Sequence, residues 1–223
     1  MKSTTRPIKK KKTGLASISA TYWLIGIMAV MVALALIVLV GLPAAAVERA
    51  KAVGNSLGEA SAPITVEVYS DFQCPACRLF HTTTLREIEE KYVQTGKVRV
   101  VFNHQIIRAE ESVRAAEASE CANDQGKFWE YADTLFNNQA GEDQGAFRDE
   151  KLYEWAQQLG LKMDQFKTCM DERTHLAKIQ SSTQTGTQRG INSTPTLFIN
   201  GQKVVGAISL AKFESIAGPS LRQ

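Results

Sequence analysis

Hydropathy divides this chain into three stretches before any residue's chemistry is considered. A polar start is followed by a 20-residue apolar run, Trp23 to Leu42, and then by short segments that alternate between two periods. A helix needs about 20 apolar residues to cross a bilayer core, so the run is long enough to span one. Tyr22 and Trp23 sit at one edge, where amphipathic rings favour the interface, and Pro43 ends the run at the other. Beyond it, VERAKAVGNSLGEAS (47–61) is small and polar and reads as a linker.

The remaining residues read as alternating elements. ITVEVY (64–69) is β-branched and aromatic, hence a strand; Pro75 opens a helix towards Tyr92, with Gly96 as its stop; VRVVF (98–102) is a second strand. From about Arg108 to Gly190 the period becomes helical. Val113, Ala116 and Cys121 mark one apolar face, Phe128, Ala132 and Leu135 another, and Leu152, Ala156 and Leu159 a third, with Gly160 as a cap. Phe166 and Cys169 start a further helix that extends past Leu176 and Ile179. TLFI (196–199), Asn200-Gly201 and Lys203 to Val205 form a hairpin, because Asn-Gly suits its two-residue turn. A short helix near Leu210 to Ile216 closes the order. The first strand–helix–strand is a βαβ unit, so its strands should be parallel. The fold class expected is α/β, with a helical insertion at about 107–190.

Charge alters the reading of the start. The formal net charge is +3, yet Lys2, Arg6 and Lys9 to Lys12 all fall in the first twelve residues. The rest is slightly acidic, which excludes a nucleic-acid-binding face. No charged residue occurs from Thr13 to Val47. By the positive-inside rule the organisation is a basic cytoplasmic tail (1–21), a transmembrane anchor (22–43), a linker (44–61) and an extracytoplasmic domain (62–223). A cleavable signal is the alternative, with Ala44-Ala45-Ala46 as its cleavage site, but its apolar segment is usually roughly 7–15 residues. Either reading exports the domain.

Four cysteines in an exported domain suggest two disulfides. Cys74-Pro75-Ala76-Cys77 lies between a strand and a helix. Cys74 then sits at a helix N-terminus, where free N–H groups and the dipole favour a thiolate, the form that attacks disulfides. Cys77 is one turn on and can resolve a mixed disulfide at Cys74. A structural disulfide and a zinc site are the competing readings. Zinc would need two more ligands, and no second C-x-x-C or nearby C/H pair exists. His104 and His175 show no ligand spacing, so no metal or cofactor is expected. His81, one turn past Cys77, is read as packed or solvated, and Trp129 and Trp155 as core. Cys121 and Cys169 are expected to form a structural disulfide; a shuttling pair and two free thiols are the alternatives.

The run SDFQCPAC (70–77) resembles the active-site signature of the DsbA-like thiol–disulfide oxidoreductases, and GINSTPTLFING (190–201) resembles their proline loop and following strand. KFWEYADTLF (127–136) resembles their helical insertion. The resemblance, over roughly 56–218, implies a thioredoxin-like fold, a cis Pro195 opposite the cysteines, and a substrate-pairing backbone at Thr194. A trans turn proline is the alternative from composition alone. It further implies disulfide exchange on exported cysteine-containing proteins, and a quinone-linked membrane reoxidase of DsbB or vitamin K epoxide reductase type. Family members often carry a buried glutamate where this chain has Val68. Strand alternation points the adjacent Glu67 to the opposite face, which removes that proton acceptor from Cys77. Disulfide donation is the expected direction; reductase, isomerase and anchored binding module are the alternatives.

Overall fold

The computed structural model describes residues 22–31, 52–108 and 110–221. The chain forms two compact units, 1–47 and 48–223. In the first, residues 22–31 are an exposed helix, α1. Among the described residues no helix is long and apolar enough to cross a membrane. Residues 1–21 and 32–43, which carry the expected tail and most of the expected anchor, lie outside the described residues.

The second unit is built on a six-stranded sheet of order β1-β2-β4-β3-β5-β6. The strands are β1 (Ala52–Val53), β2 (Ser56–Leu57), β3 (Ile64–Ser70), β4 (Val98–His104), β5 (Thr196–Ile199) and β6 (Gln202–Val205). Among the described residues only β3 and β4 are parallel, running from Ile64↔Val98 to Ser70↔His104. β5 runs antiparallel to β3, and the Asn200-Gly201 turn leads into β6. Asn200 Oδ1 accepts from Thr65 N at 2.9 Å and Asn200 N donates to Thr65 O at 2.9 Å, which ties the hairpin to the start of β3. One sheet face, with Val66, Val68, Val100 and Phe102, enters the main core. On the other, Tyr69, Phe198 and Ile191 form a small second cluster, and Glu67 pairs with Arg189 at 2.5 Å.

The two shortest strands fall within the expected linker at 44–61, whose residues 44–51 lie outside the described residues. Ser56 and Leu57 are buried and pair with Val101 and Val100, so β2 belongs to the sheet. Two-residue strands are too short to show a period, which hid them. Gly58 follows with φ 92°, and a Cβ there would stand 2.5 Å from Val98 O. Gly58→Ala should destabilise the domain by about 1–3 kcal/mol, read as a lower urea midpoint at unchanged slope.

The helix expected from Pro75 to Tyr92 is in fact three pieces. α2 (Pro75–Thr82) ends at Thr83 (φ −120°, ψ −87°), α3 is Thr84–Ile88, and a π-helical turn follows at Glu89–Val93. The cause is the run Thr82-Thr83-Thr84. Thr82 and Thr83 hydroxyls donate to the carbonyls of Arg78 and Leu79, and Thr84 donates to Ile208 O at 2.8 Å. Such back-bonding bends helices.

The insertion comprises α4 (Glu110–Asn123), α5 (Phe128–Asn137), α6 (Asp149–Gln158), α7 (Met163–Asp171) and α8 (Leu176–Gln188), and α9 (Leu210–Leu221) ends the unit. α4 is buried on more than one face: Ala115, Ala116, Ala118, Cys121 and Ala122 are buried, whereas Val113 is only partly so. Its buried Glu117 pairs with Arg114 and Arg173, and its Glu120 with His104 and Lys178. These ion pairs disguise the helix as half-polar in sequence. The helix begun at Phe166 does not continue past Leu176, because Arg173 (φ 51°) reverses the chain before α8.

Candidate active site

The parallel pairing of β3 with β4 ends level at Ser70 and His104, and the turn after Ser70 delivers the cysteines to that end of the sheet. Cys74 is the N-cap of α2 and Pro75 opens its first turn. Arg78 N donates to Cys74 O at 3.1 Å, beginning the helical ladder. Both thiols are unbonded and buried, at 3% and 1% exposure for Cys74 and Cys77. Pro75, between the two cysteines in the chain, is exposed, as are Leu79 on α2 and Ile107 after β4.

Thr194 lies opposite, 120 residues away. Its carbonyl accepts the Cys74 thiol at 3.2 Å, and the Thr194–Pro195 peptide bond is cis. The structure thus brings Cys74, Cys77, Thr194 and Pro195 to one place. Thr194 Oγ1 is buried without another partner, free to donate to a thiolate. The Cys74 thiol is lowered from 9.0 to about 5, chiefly by the hydrogen bond from the Cys77 side chain. Burial opposes this, and the Thr194 side chain and the backbone N–H groups of Cys77 and Ala76 add to it. Cys77 moves the other way. Burial raises it well above 9.0, as does the neighbouring Cys74, against smaller opposing effects of the Ser70 hydroxyl and the Asp71 backbone. One thiol of the pair is an anion at neutral pH and the other holds its proton.

Sequence reasoning missed what fixes the loop. Asp71 is fully buried, and its carboxylate accepts four bonds: Gln73 N at 2.9 Å, Ser112 Oγ at 2.6 Å, Ile107 N at 3.0 Å and Arg108 N at 3.1 Å. It ties the cysteine turn to the β4–α4 connection. Gln139 Nε2 donates to Phe72 O and, at 3.2 Å, to Cys74 O, clamping the turn from the far end of α5. Asp71 was visible inside the SDFQCPAC run, but nothing local to Gln139 signals its role. Glu67 faces Arg189, away from the thiols, in keeping with strand alternation. His81 is buried against Phe136, with Nε2 2.6 Å from Asp133. Cys121 and Cys169 are joined, S–S 1.95 Å and Cα–Cα 5.9 Å, and stand on α4 and α7.

A cysteine pair at a strand–helix junction, beside a cis-proline that precedes the neighbouring strand of a mixed sheet, defines a thioredoxin-type fold. The chain belongs to the thioredoxin family, whose model, described as Thioredoxin, matches residues 51–217. It is 28% identical over 151 residues to a probable disulfide bond formation protein D of Bacillus anthracis, covering 66% of this chain and 70% of that one. It is 31% identical over 172 residues to a Na(+)/H(+) antiporter NhaA 1 of Salinispora arenicola, covering 74% of this chain but only 25% of the antiporter's length. Among solved structures, oxidised BdbD from Bacillus subtilis superimposes with a TM-score of 0.70 over 76% of this chain and 94% of that chain. At 23% identity the match speaks for the fold.

Proposed function

We propose that this chain is a protein thiol–disulfide oxidoreductase that donates disulfides to exported proteins through Cys74 and Cys77. The observation that carries the reading is the environment of Cys74: an N-cap position, the Cys77 side chain and Thr194 together hold its thiol near 5. In the oxidised pair, a substrate thiolate attacks Cys74 Sγ and Cys77 leaves, taking up a proton. A second substrate thiol then attacks its own sulfur in the mixed disulfide and expels Cys74. A leaving thiol of low pKa departs faster, so Cys74 is the sulfur suited to that step. Pro195 and Thr194 form the wall against which an extended substrate pairs. A quinone-linked membrane protein would return the pair to the disulfide.

A thiolate stabilises only the reduced form, which makes the disulfide the stronger oxidant. Equilibration with glutathione buffers should therefore give a potential above about −270 mV, the thioredoxin value. A value at or below it would overturn donation in favour of a reductase. Pro75-Ala76 offers no charge or imidazole, and Val68 no carboxylate, so the couple should fall short of the strongest oxidants of this kind.

The apolar run at Trp23 to Leu42 behind six basic residues supports an N-in, C-out anchor that places the site outside the cytoplasm. The Cys121–Cys169 bond acts as a staple of the insertion. Replacing both with alanine should lower stability by about 4 kcal/mol on the chain-entropy scale for a separation of 48 residues. Denaturant titration checks it, with exchange by the folded protein unchanged.

A further inference from the structure

The reversal between α7 and α8 returns an imidazole to the second cysteine pair. Cys121 lies near the end of α4 and Asp124 one turn further, just past it. Cys169 stands on α7. After the turn at Arg173, Thr174 N donates to Cys169 O at 3.1 Å, and His175 becomes the N-cap of α8. Ligand atoms of Cys121, Cys169 and His175 all lie within 4.8 Å of one another. Asp124 Oδ2 is 2.7 Å from His175 Nε2 and 3.9 Å from Cys169 Sγ. Cys121 is buried and Cys169 partly so, and an open cleft of about 420 Å3 with Asp164, Thr168 and Thr174 on its walls reaches Cys169.

We propose that the dithiol form of this pair is a zinc site. Cys121, Cys169 and His175 are the ligands, Asp124 orients the imidazole, and the fourth position opens to the cleft. As a disulfide the sulfurs have no anionic charge to offer a metal; as thiolates they join the imidazole in a ligand set that selects zinc. Tetrahedral zinc with bonds of about 2.3 Å to sulfur holds two thiolates about 3.8 Å apart. In the disulfide the two sulfurs are bonded to each other, so on reduction they part to reach that separation, while the ligand nitrogen of His175 already lies within 4.8 Å of both. With Asp124 on His175 Nε2, the metal would take Nδ1, and the carboxylate would then fix the imidazole through its other nitrogen.

No reductant is required to reach this state, because cysteines enter a new chain as thiols. Zinc binding releases the two thiol protons. Oxidation by a protein or small-molecule disulfide then removes two electrons, closes the Cys121–Cys169 bond, expels Zn2+ and leaves the donor as two thiols. Zinc would hold α4, α7 and the start of α8 together until the covalent bond replaces it.

The test uses the full chain in detergent with Cys74→Ser and Cys77→Ser, so that the first pair cannot bind metal. After reduction with a phosphine, Co2+ alone is titrated. A thiolate-to-cobalt charge-transfer band should rise to one Co2+ per chain and disappear when Zn2+ is added. The oxidised chain should show no band. His175→Ala should weaken Co2+ binding at least tenfold, and Asp124→Asn about tenfold. A reduced chain that keeps its helical circular dichroism without the band overturns the proposal, as does a band indifferent to His175→Ala. If reduction costs the fold, one equivalent of Zn2+ should restore the circular dichroism, and failure to restore it is equally fatal.

Discussion

Cys74→Ser should abolish disulfide exchange, whereas Cys77→Ser should accumulate mixed disulfides with substrate. The two thiols share a loop and are both buried, but their surroundings push their protons in opposite directions. Cys74 carries the anion, and deleting a covalent nucleophile costs on the order of 10^4-fold or more in rate. Cys77 is the thiol that resolves a bond at Cys74, so its loss leaves the intermediate in place. Non-reducing gels of alkylated extracts, together with the rate of oxidation of a dithiol peptide, provide the check. Equal trapping by both variants would reverse the assignment of roles.

Alkylation of Cys74 in the reduced protein should stay fast down to about pH 6 and fall with a midpoint at about 5. An unperturbed cysteine would show its midpoint near 8.5. Because the Cys77 side chain is the largest cause of the lowering, Cys77→Ala should move the midpoint up. Cys77→Ser keeps a donor and should move it less. The same shift sets how stability depends on pH. The folded-state value is depressed, so the thiolate stabilises the folded, reduced protein fully above pH 9. That contribution declines between 9 and about 5 and is absent below 5. The oxidised protein has no such dependence from this pair. A midpoint near 8.5 in iodoacetamide kinetics would remove the basis for disulfide donation.

Several parts of this molecule could be read from short windows. Cys74-Pro75-Ala76-Cys77 between a β-branched run and a helical one, and Asn200-Gly201 between TLFI and a segment ending in Val204-Val205, have local causes, and both stand in the fold where the windows put them. The helix broken at Thr83 was also local in origin, but three threonines inside an amphipathic run weigh less by period than by their hydroxyls' bonds to the backbone. β2 left no trace, since Ser56 and Leu57 are strand only by pairing with β4. α4 misled by composition, because its Glu117 and Glu120 are buried against His104 of β4 and against the cations of Lys178 on α8 and Arg173 in the turn after α7.

Sequence alone therefore determined the order of the longer elements from β3 onward, the thiol pair at a helix N-terminus and the apolar run before the domain. Each follows from spacing within a few residues, where backbone geometry ties position to direction. Only the tertiary structure decided that Thr194 meets Cys74, that Asp71 and Gln139 lock the turn, and that His175 returns to Cys169. Those contacts join residues up to 120 positions apart, and the chain's local periods carry no record of which distant groups the packed core will bring together.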